Sequence, residues 1–578
     1  MSFRRVGWLA AVGIATLLEI SCGQVYRPVV IPTSTTPPDP QNFHAVFGIS
    51  SNVPFSPGSA LQIDVSGDTD IGAANMGVNP THATILPNNS RVFVASSGSL
   101  FSGDADTVMA FTPAAQGQTA TGLGTPTVFT LPFGSLPSFV NTTQTNFVYV
   151  ANFGTNTVSA LNTATNTITL TGAVGVHPVA LAETPNAQNL YVVNEGDGTV
   201  TDLSPIDLST LATIPVGGTP VWAIARPDNR RVYVLTQGGG QVVPIDTATN
   251  TVLPSQTNLT VGAGANFMLY DAHLNRLYVT NPSSGTVYVF SSTGGVDAGG
   301  TANDTPTLLA AISMTAGTNP PCPNGCSPVS VTALADGTRF YVASYQNAAT
   351  CPDPNVGTAA PCIVPMLTVF NAASLTVNPI SSTLLAPTPS LSLLTSPQFV
   401  TGQYALPPVA SCIPAPTYAP GTTRFRMFTT ASSDSSHVYV SICDSGSIAD
   451  VMTTTSAVST GGNNTPDTLI TNLVSPPAAC GLNCPTVATI TGFSITSNVV
   501  TFTATNTFFA GEKVAISGLT TGTYLNGVTL TVLQTGLSGA QFECNLTTSQ
   551  ADVGQTADSG SAVPLSPPQT PIFLLTGQ

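Results

Sequence analysis

Five glycines set the terms for this chain. Gly77, Gly175, Gly217, Gly262 and Gly325 each stand 15 residues before the first apolar residue of a short alternating segment. Those segments include "FVYVANFGTNTV" at Phe147, "LYVVNEGDGTV" at Leu190, "RVYVLTQGGGQV" at Arg231 and "LYVTNPSSGTVYVF" at Leu277. Related stretches begin at Arg91, Phe340 and His437. The alternation has the period of 2 that strands require, and Pro282-Ser283-Ser284-Gly285 is turn chemistry, so each segment reads as a hairpin. A hairpin alone is marginal in water. Something must recur beside it to bury its faces.

What recurs is a third strand before the hairpin and a fourth after it. Three residues beyond four of the glycines comes a proline (Pro80, Pro178, Pro220, Pro328), followed by an apolar run such as "VALAE" or "VWAIA". After the hairpins, "TATNTITL" and "LSTLATIPVG" supply a turn and an outer strand. The unit is a four-stranded antiparallel sheet of about 42 residues, the size of a β-propeller blade. A sandwich has no reason to repeat one phased unit, whereas blades packed face to face bury both faces of each sheet. The expected fold is all-β: a seven- or eight-bladed propeller over residues 43–484. Residues 43–78 supply strands B, C and D without an A strand, and "PTVATI" after Cys484 is the candidate to complete that sheet. The repeats resemble those of the YVTN-repeat β-propellers of bacterial envelope proteins, on Tyr278-Val279-Thr280-Asn281 and on the pattern of the other units over roughly residues 43–475. Through that family the chain is similar in repeat pattern to seven-bladed lactonases, which implies a hydrolase near His177 and Arg226 as an alternative activity.

After Cys484 the repeat stops. Val500, Phe502 and Ala504 alternate with threonines, as do Val528, Leu530 and Val532, so residues 485–578 are expected to form a small β-barrel or β-sandwich with a flexible tail. This stretch is similar to small β modules of exported bacterial and phage adhesive proteins.

At the other end, Arg4 and Arg5 precede an apolar run from Val6 to Leu18 and then Ser21-Cys22-Gly23. Residues 1–22 therefore read as a signal peptide, too short for a comfortable membrane span. Cys22 resembles a lipoprotein processing site, although Glu19 stands where an apolar residue is usual; ordinary cleavage is the alternative. The Pro- and Thr-rich residues 23–42 are a linker. The expected location is the periplasm, outer membrane or cell surface, with membrane contact only through the signal or a lipid anchor. Export accounts for the cysteines, nine beyond Cys22. The expected pairs are Cys322 with Cys326, Cys351 with Cys362, Cys480 with Cys484, and Cys412 with Cys443, with Cys544 a buried thiol. A four-cysteine zinc site is disfavoured because the CxxxC couples lie far apart without histidines.

Twelve basic residues against 27 acidic ones, with a net charge of −15, argue against nucleic acid. No P-loop, HExxH or GxSxG occurs. Asp104 and Asp106 in "GDADT" lack the glycine and final glutamate of a calcium loop. No cofactor or metal is expected. With strands lettered A to D from the channel outward, the enlarged loops all fall in B-to-C and D-to-A connections, hence on one face. His82, His177 and Arg226 are the channel-mouth candidates, with Glu183 and Asp271 on other innermost strands making a polar channel plausible. A non-catalytic platform that binds an envelope protein or glycan through that loop face is favoured over a hydrolase or a surface-layer component.

Overall fold

The computed structural model describes residues 45–577 except 52–57, 66–68, 99–104, 115–122, 254–258, 293–305, 316–324, 349–361, 377–390, 393–411, 413–422, 444–446, 454–467, 474–486, 507, 509–512, 534, 547 and 565–569. The expected signal peptide with Cys22, the expected linker, and Cys322, Cys351, Cys480 and Cys484 lie outside the described residues, as does the side chain of Cys362.

The described residues form eight four-stranded antiparallel sheets and one six-stranded sheet. The eight are the blades, and the chain builds a β-propeller. Blade 1 takes strands B, C and D from Ala45–Ser50, Ser59–Asp64 and Thr69–Asn75, and its A strand is Pro571–Thr576 from the far end of the chain. The innermost strands of blades 2 to 8 are Pro80–Ile85, Pro137–Asn141, Pro178–Glu183, Pro220–Ala225, Phe267–Asp271, Ser327–Ala333 and Met427–Ala431.

Two expectations about the C-terminus are corrected here. "PTVATI" does not close the ring: Ala488–Thr496 begins within it and pairs instead with Val499–Ala504 and Val553–Pro564. Nor is the segment after the module a tail. The last strand pairs with blade 1 in the register Phe47↔Leu575 and Ile49↔Phe573. Both segments are apolar and begin with proline, so local pattern does not separate them. What does is that residues 488–564 form a six-stranded sheet, whose edges Thr529–Thr531 and Gln541–Asn545 are brought together by a bridge between Val532 and Cys544. A strand needed to close that barrel is not free to close the propeller. The module is thus an insertion in the D-to-A connection between blade 8 and blade 1. Cys544 is a free thiol in the barrel core, pushed up to about 12 by burial.

An aromatic at one position of every B strand explains how the blades hold together. Phe47, Phe93, Tyr149, Tyr191, Tyr233, Tyr278, Tyr341 and Tyr439 are all fully buried. Each large side chain removes most of its apolar surface from water, a gain of about 1.5–3 kcal/mol per residue. A buried phenol also needs a hydrogen-bond partner. The Tyr149 hydroxyl donates to Pro205 O at 2.8 Å and that of Tyr191 to Asn250 Oδ1 at 2.7 Å, each on an outer turn of the next blade. The hydroxyls therefore clamp neighbours in register as well as filling the interface.

The phased glycine and the asparagine ending the YVTN signature act together. Gly262 has φ +76°, a backbone that favours glycine. Asn281 Nδ2 donates to the carbonyls of Val261 and Gly262 (2.8 and 3.1 Å), while its Oδ1 accepts from the amides of Ser283 and Ser284 (3.0 and 3.1 Å). One side chain thereby closes its own B-to-C turn and ties it to the D-to-A loop of the preceding blade. At Gly175 the reason is space, since a Cβ would lie 2.5 Å from Asp197 Oδ2.

On that same loop face, Cys412 and Cys443 form a buried disulfide with Cα atoms 5.6 Å apart. It ties the insertion before blade 8 to that blade's B-to-C turn. Closing a loop of this length restricts the unfolded chain by about 3–4 kcal/mol. Cys326, which precedes the A strand of blade 7, is also disulfide-bonded, with its partner outside the described residues.

Candidate functional site

The A strands carry a register shift at their start. It falls between Pro80 and His82, Pro137 and Phe139, Pro178 and Ala180, Pro220 and Trp222, and Pro328 and Ser330. The closing strand has its shift at the same place, where Ser50 faces Pro571 and Ile49 faces Phe573. Proline is tolerated as the first residue of a strand because it owes no ladder bond there, and the bulge re-aims the side chain that follows. In blades 6 and 8, which lack the proline, Phe267 and Phe428 take the equivalent place.

Around the channel this position reads Phe573, His82, Phe139, Ala180, Trp222, Phe267, Ser330 and Phe428. The six rings close on one another. Centroid separations are 4.4 Å from Phe573 to His82, 3.6 Å to Phe139, 5.3 Å to Trp222, 5.1 Å to Phe267, 5.4 Å to Phe428 and 4.5 Å back to Phe573. Trp222 spans the gap at Ala180, and Phe267 and Phe428 meet across Ser330. Phe425 packs on three of the rings, and the Arg424 guanidinium lies 5.2 Å over Trp222. These distances suit offset and edge-to-face aromatic packing. The channel is sealed by an aromatic plug.

This replaces the expected polar channel. Glu183, at the end of the blade 4 A strand, accepts from the Thr143 amide at 2.6 Å and from Gln144 Nε2 at 2.5 Å, and burial holds its carboxyl above the usual range. Asp271 caps its own turn through the amides of His273 and Leu274. Arg226 lies beyond the A strand of blade 5, bound to Asp228 by Nε and Nη2 (2.8 and 2.6 Å) and donating through Nη1 to Ser292 O at 3.1 Å. His177 precedes the A strand of blade 4, exposed and stacked on Phe153 at 4.3 Å. His177 and Arg226 thus stand at opposite ends of six-residue strands, roughly 20 Å of chain apart at the usual rise. They share no channel mouth. Asp106 is likewise spent on structure, accepting from the backbone amides of residues 134–136.

His82 alone of the three channel-mouth candidates faces the channel, and it is held neutral. Its Nδ1 donates to Val140 O at 3.0 Å, and burial, with Arg424 nearby, pulls its pKa from 6.5 down to about 3. A depressed histidine makes the folded state hold fewer protons than the unfolded chain between those values. The stability it contributes is complete above pH 6.5 and is lost as pH falls toward 3. The wild type should lose about 3 kcal/mol from this group between pH 7 and pH 4, and His82→Phe should not. Urea melts of both proteins at the two pH values check this, and equal acid losses would refute it.

Below the plug, toward the short A-to-B turns, lies a cavity of about 350 Å³. His82, Phe139, Trp222, Phe267 and Phe428 form its floor; Leu181, Ala182, Ala223, Ile224, Met268 and Leu269 its wall; Asn141, Thr143, Glu183, Pro185 and Ala225 its rim. It therefore sits at the end of the A strands opposite the B-to-C and D-to-A loops, the end shared by the C-to-D connections. The expectation that every enlarged loop falls on the other face is corrected, since 15 to 19 residues separate the C and D strands of blades 2, 6, 7 and 8. No sequence motif marked it, although proline followed two residues later by an aromatic, at Pro80, Pro137, Pro220 and Pro571, is a signal that identifies four members of its floor or plug.

No protein-family model and no curated protein matches the chain. Solved structures do resemble it. A candidate 6-phosphogluconolactonase from Bacteroides uniformis aligns at 16% identity and a TM-score of 0.41, over 58% of this chain and 94% of that one. Dihydro-heme d1 dehydrogenase NirN aligns at 11% identity and 0.46, over 76% of each chain. Hydrazine synthase from Kuenenia stuttgartiensis aligns at 15% identity and 0.37, over 59% of this chain and 80% of that one. At such identities and scores the likeness carries nothing about chemistry.

Proposed function

We propose that this chain is an exported envelope protein of YVTN-repeat type that uses its propeller as a non-catalytic platform, binding a protein or glycan through the face of B-to-C and D-to-A loops. The observation that carries the reading is a set of exposed apolar and aromatic side chains on loops of that face. Phe133, in the connection into blade 3, is 83% exposed. Beside it in the chain path, the next B-to-C turn and D-to-A connection supply the stacked pair Phe153 and His177 and the exposed Val176. Exposed aromatics on loops held by a rigid scaffold are where recognition concentrates. The buried disulfide at Cys412 and Cys443 and the inserted barrel spring from the same face. Hydrolysis has less support, because acid–base catalysis needs groups that converge on a reacting atom. Here His82 is stacked and neutral, while Glu183, Arg226 and Asp271 hold turns.

The expected result is that immobilised protein retains a specific component of envelope extract, and that the double variant Phe133→Ser, His177→Ala loses most of it without a change in melting temperature. The same protein should leave a panel of lactones unhydrolysed. Retention of nothing, or lactone turnover abolished by Glu183→Gln, would overturn the reading. Export is tested separately: Cys22→Ser should move the protein from the detergent to the aqueous phase if Cys22 carries lipid, and leave it in the aqueous phase in both forms if cleavage is ordinary.

A further inference from the structure

We propose that the cavity beneath the plug is a binding site for a compact, uncharged ring compound carrying one hydroxyl or amine donor. The site goes beyond the loop-face reading and does not depend on it, since it opens at the other end of the A strands. Three observations select the ligand. Size is the first, because about 350 Å³ falls in the range of small-molecule sites. The second is the lining: aromatic rings below, with Leu181 and Met268 at the side, leave apolar surface whose only favourable partner is apolar. The third is a pair of acceptors at the rim. Asn141 Oδ1 is buried and has no hydrogen-bond partner among the described residues. Glu183 is 2% exposed, and its carboxyl, which accepts from the Thr143 amide, the Thr143 side chain and Gln144 Nε2, retains one lone pair for a further donor. A buried acceptor left unpaired is costly, and a ligand hydroxyl or amine placed on it removes that cost. Among the described residues no lysine or arginine lines the cavity, so a carboxylate or phosphate would face Glu183 with no cation in the lining to neutralise it.

The chain has two tryptophans, so Trp8→Phe leaves Trp222 in the cavity floor as the sole tryptophan, excited selectively over the tyrosines at the red edge of its absorption. In that full-length protein 1-adamantanol, which does not itself fluoresce, should shift Trp222 emission saturably. The isosteric 1-fluoroadamantane lacks the donor and should bind about tenfold more weakly. Adamantane-1-carboxylate should bind more weakly still. Asn141→Ala should bring the alcohol to the level of the fluoride. Ala225→Phe, at the half-buried rim, should abolish the response to both with an unchanged melting temperature. An absent or non-saturable response to the alcohol, a fluoride or carboxylate that binds as tightly as the alcohol, or Ala225→Phe binding like the wild type would each overturn the site. None of these outcomes bears on capture of an envelope component by the loop face.

Discussion

Truncation after Thr570 abolishes cooperative unfolding: that is the expected result with the largest effect. The six residues Pro571–Thr576 are the whole A strand of blade 1. Ile572, Phe573, Leu574 and Leu575 are each at most 9% exposed. Their burial contributes about 6–12 kcal/mol on ordinary transfer values, as much as the net stability of a typical domain. The loss is also topological. Without this strand, Ala45–Ser50 becomes an open inner edge and Phe573 leaves the plug between His82 and Phe428. The measurement is calorimetry with a denaturant melt. Wild type should unfold in one sharp transition for the propeller, and the truncated chain should show a broad low-temperature transition or aggregate through its open edge. A shortened chain that melts like the wild type would show that the ring closes in some other way. Deletion of residues 43–78 should have the same result, because it removes the partner strands of the same blade.

The second large effect is expected at Trp222. Its ring meets Phe139, Phe267 and Phe425, with centroids 5.3, 5.1 and 5.9 Å away, and carries the Arg424 guanidinium on its face. Trp222→Ala should cost about 3–5 kcal/mol, the transfer energy of the indole plus the hole it leaves. The plug cannot collapse to fill that hole, because each ring is fixed to a different blade. Phe133→Ala, by contrast, removes an equally apolar side chain that is 83% exposed, and should change stability by under about 0.5 kcal/mol. Denaturant midpoints of the two variants measure the difference. A Trp222→Ala protein as stable as Phe133→Ala would mean that the plug is not a structural element.

Much of the blade was legible before any tertiary structure. The hairpin alternation, the glycine 15 residues ahead of it and the proline after the glycine all act within about 42 residues, and local sterics and hydrogen bonding account for them. Gly262, whose positive φ lets the loop turn, and Asn281, which holds the turn it enters, are examples. The B-strand Phe or Tyr also recurs in the sequence, but its role showed only in the structure, where each blade buries the same face against its neighbour.

The site followed a different logic. His82, Phe139, Trp222, Phe267, Phe428 and Phe573 come from six blades, and the last is nearly 500 residues from the first. Nothing local binds one of them to another. Only closure of the ring brings them within packing distance, and only closure shows that Glu183 holds Thr143 and Gln144 at the cavity rim and that Asp271 caps its own turn, while His177 and Arg226 lie at opposite ends of the disc. The choice of closing strand was beyond the sequence for the same reason. "PTVATI" and "PIFLLT" are both proline-led and apolar, and either could pair with Ala45–Ser50. The barrel's need for Ala488–Thr496 as an interior strand decided between them. Composition and period determined that this chain makes blades, because those depend on backbone geometry and side-chain alternation over a few residues. Which end completes the ring, and what fills its axis, depend on contacts that exist only when all eight blades are in place.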